Sequence, residues 1–212
     1  DPLRVGLPVV DMVTGMNAVI GVLLALHERA KSGRGQLVDA ALYDSGLSLL
    51  HPHAANWFMS DKVPQRTGNA HPNIYPYDVI HTGGAPIFLA VGNDRQFRLL
   101  CDYIGQPALA DDARFATAGQ RSVNRAVLKP LLEQAFAARD GQELSDALMA
   151  IGVPAAPVLD VAQALQHPHT VHREMVVRID GYQGLGAPVK LSRTPASYRF
   201  APLSEGQDFL PG

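Results

Sequence analysis

Cysteine is almost missing from this chain. Cys101 is the one example, so no internal disulfide can form, and a reducing, cytoplasmic setting is the expectation. No recognisable signal peptide speaks against that setting. Excess charge of either sign is also missing. The 18 basic and 20 acidic side chains leave a net charge of -2, which gives no electrostatic case for nucleic acid or an anionic membrane as partner. Long apolar runs are scarce too. The longest stretch without an ionisable side chain, between Asp11 and His27, is about 15 residues long and holds Asn17. That is short for a bilayer span, so it reads as a buried helix and no membrane partner is expected. Aromatic residues make up 7%, apolar residues 47% and charged residues 18%, the balance of an ordinary soluble globular protein. There is no internal repeat and no low-complexity segment.

What is present begins with Asp11. The residues from Leu7 to Leu26 carry that single carboxylate at the mouth of an apolar element. A carboxylate in such a place is costly unless something caps or uses it. Two roles are open: an N-cap holding the orphan amides of the first helical turn, or a nucleophile or base held at a helix N-terminus in a cleft. A helix is predicted over 12–31, apolar on nearly all faces, with Gly15, Ala18, Gly21 and Ala25 permitting close packing. His27-Glu-Arg-Ala-Lys-Ser-Gly-Arg-Gly-Gln36 ends it with basic residues and glycines.

Beyond it, 37–60 reads as a short strand and a second helical stretch. The Pro, Gly and Asn content of 62–78 indicates a loop or crossing. Pro86–Val91 is a strand pattern, and 94–105 an amphipathic helix capped by Asn93 or Asp94 and stopped by Gly105. A helix over 121–139 should kink or restart at Pro130. Asp140-Gly-Gln-Glu143 and Asp160-Val-Ala-Gln163 are capping-box patterns opening two further helices. Met175–Ile179 and Val189–Leu191 read as strands.

Asp11-x-x-Thr-Gly, through Ala-Leu-His-Glu-Arg-x-x-Ser-Gly-Arg-Gly-Gln-x-Val-Asp-Ala-x-Leu-Tyr-Asp44, resembles the class III CoA-transferases, the family of formyl-CoA and carnitine CoA-transferases. Its fold is shared with 2-methylacyl-CoA racemases. Further blocks agree in order: Arg66-Thr-Gly-Asn-Ala-His-Pro-Asn-Ile-Tyr-Pro-Tyr77, Leu89-Ala-Val-Gly-Asn-Asp94, Gly152-Val-Pro-Ala-Ala-Pro-Val158 and Leu191-Ser-Arg-Thr-Pro195. The resemblance implies an α/β fold, part of a doubly wound large domain plus an inserted α+β small domain. Residues 1–60 would be partial large domain, 61–78 a crossing loop, 79–180 the small domain, and 181–212 a return segment and tail. Relatives carry a Rossmann-like portion upstream of the catalytic Asp that holds most of the CoA-nucleotide contacts. The chain is therefore expected to be part of a longer enzyme, an interlocked homodimer at full length.

The resemblance also implies that Asp11 is the acyl-accepting carboxylate, that CoA and acyl-CoA enter as substrates rather than as a resident cofactor, and that a carboxylic acid is the other partner. Thr14 and Gly15 are candidate oxyanion donors. Ile74, Tyr75 and Pro76 align with the substrate-facing part of a loop that closes over the site in relatives. That loop is a glycine run in formyl-CoA transferases. Here two prolines and a tyrosine make it stiffer, which favours a bulkier acyl group over oxalate or formate. Racemases of this fold carry a catalytic Glu near the Val91–Phe97 stretch. It is missing here, and Asp94 is either its substitute or a helix cap. A racemase is thus the rival activity, and a non-catalytic part needing a complementing chain the rival from another class.

Other clusters carry less chemistry. His51-Pro-His53 and His167-Pro-His169-x-x-His172 lack the converging set a metal needs, so no metal is expected. Asp39 and Asp44 read as structural, Cys101 as core, and Ser45 and Ser48 lack the elbow and ordered partners of a hydrolase triad.

Overall fold

The computed structural model describes residues 5–202, and the chain divides into two units, Asp1–Gly68 and Asn69–Gly212. The end of the expected tail, 203–212, lies outside the described residues.

The regular elements of the first unit, among its described residues, are all helices: α1 (Val9–Ser32), α2 (Leu42–Ser48) and α3 (His53–Ser60). α1 follows Pro8 and ends at Gly33, whose φ of 72° makes the left-handed turn and whose N–H bonds to the Arg29 carbonyl at 2.9 Å. Arg29 and Lys31 in its last turn complement the helix dipole. One stripe of α1 is half-covered, at Val10, Thr14, Ala18, Gly21 and Ala25. Against it lie Val38 and α2. A Cβ at Gly21 would stand 2.7 Å from Val38 Cγ1, so glycine is what allows the approach. Asn17 Nδ2 donates to Ser45 Oγ at 3.1 Å, and Ser45 is the buried residue of α2.

Two expectations need correction here. The helix exists but no residue of α1 is buried: Met12, Met16, Val19, Ile20, Leu23 and Leu24 are exposed. Among the described residues, the 37–48 stretch covers one face and leaves the others bare. At 24 residues α1 also exceeds the charge-free run, and by length and composition it is long enough to cross a membrane, a criterion that core helices of soluble proteins equally meet. The strand expected after Leu37 is missing. The backbone is extended at Ala41, but a strand needs a neighbour for its ladder and 37–41 has none among the described residues.

The second unit has its own core. β1 (Tyr77–Ile80), β2 (Ile87–Ala90) and β3 (Ala155–Pro157) form an antiparallel sheet in that order, with Ile80 opposite Ile87 and Asp78 opposite Leu89. β1 starts within the last residues expected to be loop. The helices α4 (Asp94–Tyr103), α5 (Ala118–Val123), α6 (Arg125–Phe136) and α7 (Gly141–Ala150) bury Phe97, Leu100, Leu128, Leu132, Phe136, Leu144 and Leu148 with Ile80, Ile87 and Leu89 of the sheet. Asn93 caps α4 by accepting from Gln96 N, and Asp140 caps α7 through Gln142 N and Glu143 N. The β1–β2 hairpin presses on the start of α7, where a Cβ at Gly141 would collide with the Ala85 carbonyl. The helix over 121–139 breaks at Asn124 rather than at Pro130. Pro130 lies inside α6 with its exposed ring tolerated, and the cost falls on one missing backbone bond.

Last come α8 (Val161–Gln166), opened by a complete Asp160/Gln163 capping box, α9 (Pro168–His172), and the hairpin β4 (Val176–Ile179) and β5 (Tyr182–Leu185). The strand expected at Met175–Ile179 is present as β4, whereas the one expected at Val189–Leu191 is not formed; β4 pairs with β5 because Asp180-Gly181 makes a tight turn with both residues at positive φ.

Candidate functional site

Asp11 is the third residue of α1. The cap position is Pro8, which offers no side-chain acceptor. A capping side chain must precede the helix to reach the second or third amide, so the N-cap role fails for Asp11 on position alone. Its carboxylate is exposed in the first turn, where the positive end of the helix dipole favours negative charge. No hydrogen bond or ion pair engages it among the described residues.

Thr14 and Gly15 stand in the interior of α1. Amides there belong to the helical ladder, and the Thr14 hydroxyl is spent on the Val10 carbonyl at 2.7 Å. Neither is available as the expected oxyanion donor in this geometry. The amides beside Asp11 that the ladder does not use are those of the first turn, Val10 and Asp11 itself. Gly15 opens on empty space, with nothing within 4 Å of where a Cβ would stand.

In the second unit, the structure turns two of the three loop residues inward. Tyr75 and Pro76 are buried, and Ile74 is half-buried with Asn73 exposed beside it. Tyr75 is part of the hydrophobic core, and its hydroxyl has no hydrogen-bond partner. Burial pushes that hydroxyl well above the usual phenol range, and the nearby Asp78 and Glu133 carboxylates push it further. Tyr75 and Pro76 thus pack into the unit, and the surface this segment offers is its Asn73–Ile74 edge.

The side chain that fixes this segment is one the sequence reading passed over. Arg121 is fully buried. Its Nε donates to the Tyr75 carbonyl at 2.9 Å, one terminal nitrogen to the Phe115 carbonyl at 2.9 Å, and the other to Asp94 Oδ1 at 2.8 Å. Its guanidinium lies 4.4 Å from the centre of the Phe97 ring. Asp94 is thus an ion-pair partner, while Asn93 does the capping. The recurrence of Arg121, Arg125 and Lys129 every fourth residue was the visible signal.

One of the histidine clusters finds a structural use. His167 Nδ1 accepts from His169 N at 3.2 Å and starts α9. Among the described residues, no group of three or more His, Cys, Asp or Glu side chains is placed to hold a metal. Asp44 lies in the first turn of α2 behind Ala41, so it supports the helix dipole instead of capping. Cys101 is fully buried, and burial pushes its thiol up to about 11, which makes it inert at neutral pH.

The chain matches the model of CoA-transferase family III over residues 1–209. An acetyl-CoA:oxalate CoA-transferase of Acetobacter aceti is 36% identical over 192 residues, 90% of this chain and 49% of the relative. A succinate–glutarate CoA-transferase of Agrobacterium fabrum is 34% identical over 202 residues, 93% of this chain and 50% of that protein. The crystal structure of a CaiB/BaiF family protein from Brucella suis superposes with a TM-score of 0.73 at 38% identity, covering 92% of this chain and 52% of its own. The chain thus spans about half the length of the relatives it matches. The mixed helix-strand architecture is that of the class III CoA-transferase structures, and the chain belongs to CoA-transferase family III.

Proposed function

We propose that the complete protein moves CoA from an acyl-CoA donor to a carboxylic acid, with Asp11 as the acyl-accepting carboxylate. The observation that carries this is the position of Asp11: an exposed carboxylate in the first turn of an apolar helix, in a chain of this family, with the cap role ruled out by geometry. The carboxylate attacks the thioester carbonyl, the C–S bond breaks, and an aspartyl–acyl anhydride and CoA thiolate result. The thiolate attacks the aspartyl carbonyl, releasing the first acid and leaving an aspartyl-CoA thioester. The acceptor carboxylate then attacks that thioester and expels the thiolate. Attack by the thiolate on the acceptor's carbonyl forms the new acyl-CoA and returns Asp11. Dividing one exchange into these steps is covalent catalysis. The first-turn amides of Val10 and Asp11, with the helix dipole, are suited to the developing oxyanions.

CoA is substrate in this scheme, and no resident cofactor is required. The relatives are named for oxalate and glutarate, which makes dicarboxylic acids the acceptors of choice. A racemase would need a second base, and the ion pair of Asp94 with Arg121 speaks against that residue. The bare apolar faces of α1–α3 support the further reading that 1–60 belongs to a larger domain that another segment or chain completes; a homodimer and a cytoplasmic location are part of the same proposal.

The test is Asp11→Asn and Asp11→Ala in the complete enzyme, with transfer of labelled CoA between acids as the assay. Both should lose about 1,000-fold or more in rate while keeping their fold. Hydroxylamine should trap Asp11 in the wild type after acyl-CoA treatment. Near-normal turnover by Asp11→Asn would refute the covalent role. Rapid α-deuteration of a chiral 2-methylacyl-CoA, lost on mutation of Asp11, would point to racemisation instead.

A further inference from the structure

Three cations at four-residue intervals converge on one short stretch of the second unit. Arg121 bonds to the Tyr75 carbonyl. Arg125 donates to the carbonyls of His71 at 3.4 Å and Pro72 at 3.1 Å, while Ser122 holds its Nε and one terminal nitrogen in place. Lys129 reaches the Asp78 carboxylate at 2.8 Å, whose other oxygen accepts from Val79 N. The stretch is also tied from within. His71 Nδ1 accepts from the amides of Asn73 and Ile74, His71 N bonds to the Tyr77 carbonyl, and Val91 N to the Pro76 carbonyl. The His71 ring stacks on Tyr77 at 5.2 Å.

A segment that opens and closes over substrate needs few such bonds, since each must break and reform on every cycle. Here the carbonyls of residues 71, 72, 75, 76 and 77 are all engaged. We propose that Arg121, Arg125 and Lys129 are positioning residues that hold 71–78 as a preformed surface, so that acceptor choice is set by a fixed Asn73–Ile74 edge and not by loop closure. This rests on the reading that the segment faces substrate in a CoA-transferase. Its chemistry follows from the guanidinium fork: Arg125 spans two consecutive carbonyls, which an ammonium group cannot do in the same geometry.

Arg125 is the residue to change, because it is half-buried whereas Arg121 is fully buried. Arg125→Ala and Arg125→Lys in the complete enzyme should be compared by hydrogen exchange of the 71–78 peptide and by kinetics with a series of dicarboxylates. Exchange at the Asn73 and Ile74 amides should accelerate about tenfold in Arg125→Ala, and less in Arg125→Lys. The acceptor KM should rise about fivefold, with donor KM and kcat held within about twofold, and discrimination between short and long acids should narrow. Unchanged exchange would overturn the clamp. Faster exchange with unchanged acceptor KM and selectivity would overturn the substrate-facing reading, and the proposal with it. A fall in kcat alone, with both KM values constant, would reduce Arg125 to a stability role and overturn the proposal as well.

Discussion

Replacing Arg121 by Met isolates what a buried cation does for the second unit. Met preserves much of the volume and can still lie against Phe97, a sulfur–aromatic contact of about 0.3–1.5 kcal/mol against roughly 2 kcal/mol for the desolvated cation. The change orphans the carbonyls of Tyr75 and Phe115, both bonded at 2.9 Å in a buried environment. Each unsatisfied buried acceptor costs about 1–3 kcal/mol. The ion pair contributes little, because the Asp94 side chain is 60% exposed and returns to water when its partner leaves, a matter of about 0–1 kcal/mol. Against these losses stands relief from burying a charge. The net expectation is a loss of about 3 kcal/mol, a large part of a domain's stability. Urea unfolding of the complete protein should be followed by circular dichroism at far-ultraviolet wavelengths, since Trp57 lies in the first unit. Asp94→Asn is the control and should cost at most about 1 kcal/mol. Near-wild-type stability in Arg121→Met, or an equal loss in Asp94→Asn, would refute the assignment of the work to the two carbonyls.

Gly141→Ala should destabilise by about 1–3 kcal/mol, although alanine is the better helix former, because its Cβ meets the Ala85 backbone; a stabilised variant in the same urea assay would refute that. Cys101 should resist a thiol reagent at neutral pH and react no faster than the unit unfolds. Its folded thiol stays protonated up to about 11 while the unfolded one ionises near 9, so the unfolded state holds fewer protons between those values. Stability should therefore fall as pH rises through that window, and a Cys101→Ala variant that kept the same alkaline slope would refute the attribution.

Local chemistry was legible in the sequence wherever a short-range rule governs it. Asn93, Asp140, Asp160, Gly33 and Gly105 announce helix ends, and the structure has them there. The family resemblance was legible because its blocks recur in order along the chain, and the family match covers the same span. What failed depends on partners far away in sequence. A strand needs a neighbour for its ladder, and the apolar stretches at 37–41 and Val189–Leu191 find none among the described residues, while the turn at Asp180-Gly181 gives β4 its partner in β5. The loop residues show the same limit. Tyr75 looked like a contact residue by alignment, yet Arg121, 46 positions away, holds its carbonyl in the core. The periodicity of Arg121, Arg125 and Lys129 was visible, but charged side chains at helical spacing ordinarily face water, and only the packed unit shows the two arginines on backbone carbonyls and Lys129 on the Asp78 carboxylate.

The two units differ in how far they satisfy themselves, and that difference bears on the proposed chemistry. The second closes a core around Phe97, Phe115, Leu132 and Leu148 and pairs the fully buried Arg121. The first presents the large side chains of α1 to solvent and holds the helix along a single small-residue stripe. A helix gains most of its stability from packing an apolar face, so α1 held on one side alone is poorly fixed. Asp11 rides on the first turn of that helix. A nucleophile displaced by about 1 Å can lose two orders of magnitude in rate. On the proposed reading, whatever covers Met12, Met16, Val19 and Leu23 in the complete protein is therefore a condition of catalysis as well as of solubility. Charging that face tests the connection: Val19→Lys in the complete enzyme should cut CoA transfer by about 100-fold, although residue 19 lies two turns from Asp11. Unchanged transfer would mean that this face is open in the working enzyme, and that Asp11 is held by the α1–α2 stripe alone.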